Sequence, residues 1–255
     1  MNIFSENCLS DGTYLVTGAS SGIGRATAAM IAHCGGKVIA AGRDETRLQD
    51  TLSALTPGAS HAISVQVLTE ADQTADWIKG LVEIHGPLAG VFHAAGVELI
   101  RPVRMTKQAH LNDVFGSSLY AAFGIARAIS QKNTLTDGGS VVLMSSVAGS
   151  TGQIGMTAYS AAKAAIDGLV RSLACEMAPR RIRINSIAAG AVKTAMHERL
   201  TKGSGADAET DYEKSHLLGF GDPDDVANAA IFLLSGASRW VTGSTLAVDG
   251  GYMVR

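Results

Sequence analysis

A glycine-spaced turn, Thr17-Gly18-Ala19-Ser20-Ser21-Gly22-Ile23-Gly24, follows directly on the apolar run Tyr14–Thr17 and opens a helical stretch from about Ile23 to His33. Gly18 allows a tight turn, Gly22 lets backbone approach a diphosphate, and Gly24 permits close packing of helix on strand. The first turn of a helix offers unpaired N–H groups and partial positive charge, which suit an anion. A glycine triplet alone says little. Between a strand and a helix, at the start of a βαβ unit, it marks Gly18, Ser20, Ser21, Gly22, Ile23 and Gly24 as candidate contacts of a dinucleotide.

Short β-branched runs alternate with helical stretches along the rest of the chain. After Tyr14–Thr17 come strands at Lys37–Ala41, Ile63–Val67, Ala89–His93, Ser140–Met144, Arg183–Ile187 and Thr245–Val248. Such an order predicts a seven-stranded parallel sheet covered on both faces. Right-handed crossovers then make it α/β and doubly wound, of Rossmann type. The 255 residues, 46% hydrophobic, suit a single domain over 1–255. A late helix is announced by Asp222-Pro223-Asp224-Asp225, an acid at the N-cap with proline at the first helical position. The polar stretch from Lys193 to Gly221 reads as a long loop, and a loop of that length in a compact domain serves as a substrate lid.

Charge and composition narrow the function classes. A formal net charge of -2 gives no footprint for nucleic acid or an anionic membrane. No apolar run reaches the length of a membrane span, and residues 1–12 lack the apolar core of a signal peptide. Cys8, Cys34 and Cys175 are widely spaced, form no metal-binding pattern, and read as reduced, buried thiols of a cytoplasmic protein.

Tyr159 and Lys163 stand four residues apart, thirteen or more residues beyond Ser146. Residues four apart share a helix face, so the spacing sets an ammonium beside a phenol. Free tyrosine titrates near ~10, and a fixed positive charge is expected to pull that value down toward neutrality. Ser146 could then hold a substrate oxygen while Tyr159 exchanges a proton with it. The helix carries an apolar stripe at Ile166, Leu169, Val170, Leu173 and Met177 and ends before Pro179.

The end of the second strand distinguishes the two nicotinamide cofactors. An acid there binds ribose hydroxyls and repels a 2′-phosphate; here Gly42 stands in that place with Arg43 next. A guanidinium can pair with phosphate, so NADP(H) is preferred over NAD(H). The competing reading pairs Arg43 with Asp44 or Glu45 on the surface.

The residues now carry a pattern that resembles the short-chain dehydrogenase/reductase family, from about Thr13 to Met253. It rests on Thr17–Gly24, Ser146, Tyr159 and Lys163, on Asn185–Gly190 through Thr194, and on Gly221–Val226, Phe232–Ser235, Thr242-Gly243 and Asp249–Gly251. Within the family the chain looks most like the 3-oxoacyl-carrier-protein reductases. The resemblance implies hydride transfer between nicotinamide and a ketone or secondary alcohol. Tyr159 would be the acid/base, Lys163 would lower its pKa and hold the nicotinamide ribose, and Ser146 would bond the substrate carbonyl. Gln66 and Val67 would border the adenine, Ala95 and Gly96 the adenosine side, and Gly190, Val192 and Thr194 the nicotinamide. No metal is implied, and a homotetramer or homodimer is.

Departures accompany the likeness. The family's Asn-Asn-Ala-Gly is His93-Ala94-Ala95-Gly96, its adenine-binding acid is Gln66, and its Pro-Gly is Ala189-Gly190. Ser118 holds the position of the family's active-site asparagine, whose backbone carbonyl serves a proton relay that a serine would retain. A sugar or polyol dehydrogenase, or a cofactor-binding sensor without turnover, are the competing readings.

Overall fold

The computed structural model describes residues 4–10, 12–57, 60–201 and 206–254. β1 (Thr13–Thr17), β2 (Lys37–Gly42), β3 (Ala62–Val65), β4 (Leu88–His93), β5 (Leu135–Ser146), β6 (Arg183–Ala189) and β7 (Thr245–Val248) form one sheet in the order β3-β2-β1-β4-β5-β6-β7. Every pairing is parallel. The chain winds outward from β1 to β3, then returns to lay β4 on the other side of β1. That reversal opens a crevice above the carboxyl ends of β1 and β4, where ligands of open α/β sheets bind.

Consecutive strand residues feed two separate cores. Val16, Val38, Ala40, Phe92, Val142 and Ile187 pack against α1 (Gly22–His33) and α9 (Pro223–Leu234), joined by Leu48 of α2 (Glu45–Ser53). Leu15, Ile39, Val91, Val141 and Ile184 face the other way. They meet α3 (Ala71–His85), α5 (Ala121–Ser130) and α6 (Thr157–Met177), which contribute Ile78, Ile125, Ile166 and Val170. Strands apolar on both faces require a helical layer on each. Between β4 and α5, α4 (Gln108–Phe115) runs into a π-turn over Gly116–Tyr120. At the start of α9, the Asp222 N–H donates to the Asp225 carboxylate at 2.8 Å and Pro223 occupies the first turn.

The structure departs from the sequence reading in several places. β3 stops at Val65, although the Gln66 N–H still donates to the Gly42 carbonyl at 2.8 Å. β5 is far longer than expected and carries the chain to Ser146 itself. The stretch from Lys193 to Gly221 is no loop: it holds α7 (Ala195–Thr201) and α8 (Ala206–Lys214). Alanine, glutamate and lysine supply the helix propensity there, while the scarcity of apolar residues removes the periodicity that would announce it. Cys175 is exposed on α6, contrary to the expectation for all three thiols, because it falls outside the buried stripe.

Candidate active site

The turn after β1 brings Gly18 to a φ of 69° and Gly22 to 51°. At Gly24 a side chain is sterically barred, since a Cβ would lie 2.3 Å from the Gly18 carbonyl oxygen. Ser21, the N-cap of α1, makes no side-chain hydrogen bond to the helix, which leaves first-turn N–H groups directed at the crevice. Across it Thr194 stands against Gly22, 3.1 Å from where a Cβ would be. Thr194 Oγ accepts from the His197 N–H at 3.2 Å, capping α7. An uncapped helix end facing a glycine-walled gap fits a diphosphate.

At the far end of the crevice lie Arg43, Arg47 and Gln66. Asp44 caps α2, accepting from the Arg47 N–H at 3.0 Å, and its carboxylate is 3.9 Å from the Arg47 guanidinium. Arg43 is exposed and forms no ion pair among the described residues, so the surface pairing with Asp44 is not what forms. Arg47 is a second cation that sequence reasoning passed over, one helical turn beyond Arg43. The Gln66 amide donates to the Val67 carbonyl at 3.1 Å, leaving its own oxygen free to accept.

Behind the crevice, His93 ties three elements together. Its Nδ1 pairs with Thr17 Oγ at 2.8 Å and its Nε2 with the Ser118 carbonyl at 3.1 Å. A carbonyl can only accept, so Nε2 carries the hydrogen and Nδ1 accepts from the threonine. Thr17 Oγ in turn accepts from the Ala95 N–H at 3.2 Å. Burial pushes the His93 pKa down to about 4, and Lys163 adds to the fall against the Ser118 bond. His93 is thus the satisfied interior histidine expected of it. The Ser118 hydroxyl is buried without a hydrogen-bond partner among the described residues, within reach of the space over Gly96 that Lys163 Nζ also borders.

Ser146, Tyr159 and Lys163 converge on one cleft of about 650 Å³, continuous with the glycine turn, Ala95, Gly96, Gly190 and Val192. β5 delivers Ser146, whose Oγ accepts from the Ala148 N–H at 3.2 Å. α6 delivers the other two, with Lys163 Nζ 5.5 Å from the centroid of the Tyr159 ring and donating to the Met144 carbonyl at 2.7 Å. The expected lowering of the phenol pKa does not occur. Burial dominates and raises it to about 12, Ser146 opposes through a hydrogen bond, and Glu98 and Tyr212 add to the rise. The ammonium lies over the ring, and burial lowers its own pKa to about 8.

The cleft wall includes residues with no sequence signal. Glu98, beyond β4, pairs with Arg199 of α7 at 3.0 Å. Gln153 donates to the Tyr252 hydroxyl at 2.8 Å and bonds Tyr212 of α8. Outside the lining itself, His216 accepts from the Ala191 N–H at 3.1 Å and packs its ring 4.7 Å from that of Tyr252. Among the described residues no cluster could hold a metal ion, and no helix is long and apolar enough to cross a membrane.

The sequence pattern of the family described as enoyl-(acyl carrier protein) reductase matches residues 18–253. The chain belongs to the short-chain dehydrogenase/reductase family. It is 32% identical over 242 residues to a 3-oxoacyl-[acyl-carrier-protein] reductase of Thermotoga maritima, covering 94% of this chain and 97% of the relative. It is 30% identical over 250 residues to a gluconate 5-dehydrogenase of Gluconobacter oxydans, covering 96% of each. Among solved structures, one assigned as an NAD(P)-dependent gluconate 5-dehydrogenase from Beutenbergia cavernae, with NADP bound at low occupancy, superposes with a TM-score of 0.89 at 29% identity. It covers 98% of this chain and 100% of its own. A short-chain dehydrogenase/reductase from Mycobacterium ulcerans gives 0.86 at 34% identity, covering 99% and 92%. As a short-chain dehydrogenase/reductase, the protein is an NAD(P)-dependent oxidoreductase of CH–OH/C=O groups.

Proposed function

We propose that this protein is an NADP(H)-dependent reductase of a small ketone, working in reverse as a secondary-alcohol dehydrogenase. The observation that carries the reading is the convergence of the Ser146 and Tyr159 hydroxyls on one cleft, beside Lys163 and continuous with the glycine turn. A nicotinamide bound there would supply the hydride for a ketone carbon. Negative charge then builds on the carbonyl oxygen, and two hydroxyl donors stabilise it most at the transition state. Tyr159, with its pKa raised, stays protonated at neutral pH and can give its proton to that oxygen. Ser146 orients the carbonyl, and Lys163 holds the ribose hydroxyls.

The turn from Gly18 to Gly24 would cradle the diphosphate, with Thr194, Gly190 and Val192 along the nicotinamide. Ala95 and Gly96 would border the adenosine, and Gln66 and Val67 the adenine. Arg43, free of Asp44, supports NADP(H), with Arg47 beside it. NADP is bound to the relative from Beutenbergia cavernae.

Two substrate classes compete. The relatives named 3-oxoacyl-[acyl-carrier-protein] reductase favour a 3-oxoacyl thioester. The polar wall of Glu98, Arg199, Gln153 and Tyr212 favours a short hydroxylated ketone, as the gluconate 5-dehydrogenases do. α7 and α8 would serve as the substrate lid. A homodimer or homotetramer belongs to the same reading, supported by the groove that Leu119, Phe123 and Leu169 line between α5 and α6. So does a cytoplasmic location, where NADPH and free thiols persist.

The test is NADPH oxidation by the purified protein with a 3-oxoacyl thioester and a keto sugar acid, alongside Tyr159→Phe. Turnover that disappears in the variant, by about 10³-fold, while NADPH still binds, is the expected result. NADPH binding without oxidation of any ketone points instead to a sensor, and a fully active Tyr159→Phe refutes the mechanism.

A further inference from the structure

Asp167 is a buried carboxylate on α6, one helical turn beyond Lys163 and facing β5 and β6 rather than solvent. It belongs to no ion pair among the described residues, and the neighbouring Ile166 and Val170 are fully buried. An acid in such a setting is costly unless something compensates its charge. Both of its oxygens accept hydrogen bonds: Oδ1 from Ser186 Oγ at 2.8 Å, and Oδ2 from Ser145 Oγ at 3.1 Å. Thr245 Oγ lies 2.8 Å from Ser186 Oγ and completes the chain as donor. A hydroxyl on each oxygen supplies the hydrogen bonding that a buried carboxylate needs.

The charge lies close to a second buried charge of opposite sign. Lys163 is 5% exposed, and its ammonium donates to one backbone carbonyl, that of Met144. Met144 and Ser145 are adjacent on β5, so one strand turn carries both the acceptor of Lys163 and a donor to Asp167. The Ser145 hydroxyl also reaches the Lys163 carbonyl at 3.3 Å. We propose that Asp167 is a positioning residue of the reaction, its fixed carboxylate supplying the opposite charge that holds the buried Lys163 ammonium in place. This rests on the reading that Lys163 serves the reaction.

The surroundings of Lys163 leave that task to Asp167. From β4 it faces His93, neutral above about pH 4; from its own helix it faces Tyr159, neutral below about pH 12. Burial pulls the lysine down to about 8, and Asp167 is the charge that pulls it back up. Glu98 and Tyr212 act on the phenol instead.

The experiment compares the full chain with Asp167→Asn, Asp167→Glu and Ser186→Ala. Ionisation of Lys163 is read, without any turnover, from the pH dependence of its labelling by acetic anhydride, quantified by peptide mass spectrometry. The pH profile of kcat/KM for ketone reduction is measured separately. In Asp167→Asn the labelling midpoint should fall by about one pH unit or more, and the alkaline limb of kcat/KM should move down with it. Asp167→Glu should restore both, and Ser186→Ala should move them the same way by less. A midpoint that stays put, with activity lowered equally at all pH values, assigns Asp167 a merely structural role and overturns the proposal. Should Asp167→Asn not fold, an unmoved midpoint in Ser186→Ala overturns it and a lowered one supports it. Should the parent protein reduce no ketone, the labelling midpoint still decides, and only the reductase reading falls.

Discussion

Lys163 holds its ammonium 5.5 Å from the centroid of the Tyr159 ring and gives its hydrogen bond to the Met144 carbonyl rather than to the phenol. The two side chains share a helix face, as their spacing requires, yet burial acts on both more strongly than they act on each other. The phenol is driven toward its protonated form and the ammonium toward its neutral one. For a reductase the first shift is an asset, since the proton is on hand at neutral pH. The second is a liability borne by the fold.

That liability is measurable in Lys163→Met. The folded pKa of about 8 lies below the ordinary 10.5, so between these values the unfolded chain binds more protons and stability rises with pH. Below pH 8 the burial cost is present in full. Replacing the charge with an apolar chain of similar length should therefore stabilise the protein at pH 7, by up to about 3 kcal/mol. Turnover should be lost at the same time. Thermal unfolding at pH 7 and pH 10 checks this, with the advantage of the variant shrinking at the higher pH.

Arg43→Ala should raise the KM for NADPH by about 10- to 100-fold, the range of a charge-assisted phosphate contact. The KM for NADH should barely change. Arg47→Ala should act in the same direction and less strongly, because Arg47 also engages Asp44. Equal losses with both cofactors would remove the 2′-phosphate assignment.

Ser118→Ala separates the side chain from the carbonyl. The hydroxyl is buried without a partner among the described residues, so its removal should change stability by less than about 1 kcal/mol. The carbonyl keeps its bond from His93, and turnover should stay within about tenfold of the parent if the carbonyl carries the family's relay. A loss near a thousandfold in kcat would show that the hydroxyl itself moves the proton.

Local chemistry was legible in the amino-acid sequence, and contacts across the chain were not. Gly18 to Gly24 and the Tyr159–Lys163 spacing place interacting groups within one or two turns, so counting residues locates them. Glu98 and Arg199, or Asp167 and Ser186, meet only because β4, α6, β6 and α7 pack at one end of the sheet. The fall in the tyrosine pKa was misjudged for the same reason, since proximity to a lysine is visible in sequence and exclusion of water is not. α7 and α8 escaped notice because a mostly polar helix has no buried stripe to repeat.

His93 should dominate an acid transition of the fold. Its folded pKa of about 4 lies below the ordinary 6.5. Between those values the unfolded chain takes up the proton first, so stability is complete above pH 6.5 and is lost as pH falls toward 4. Protonation also gives Nδ1 a hydrogen where it now accepts from Thr17, so the Thr17 hydroxyl must turn its own hydrogen away and accept from both Nδ1 and the Ala95 N–H. The expected loss is up to about 3 kcal/mol. His93→Asn removes the titration while keeping a donor and an acceptor, so its stability should be nearly flat from pH 6.5 to 4. Urea unfolding at several pH values makes the comparison, and parallel slopes in parent and variant would assign the acid transition to other groups.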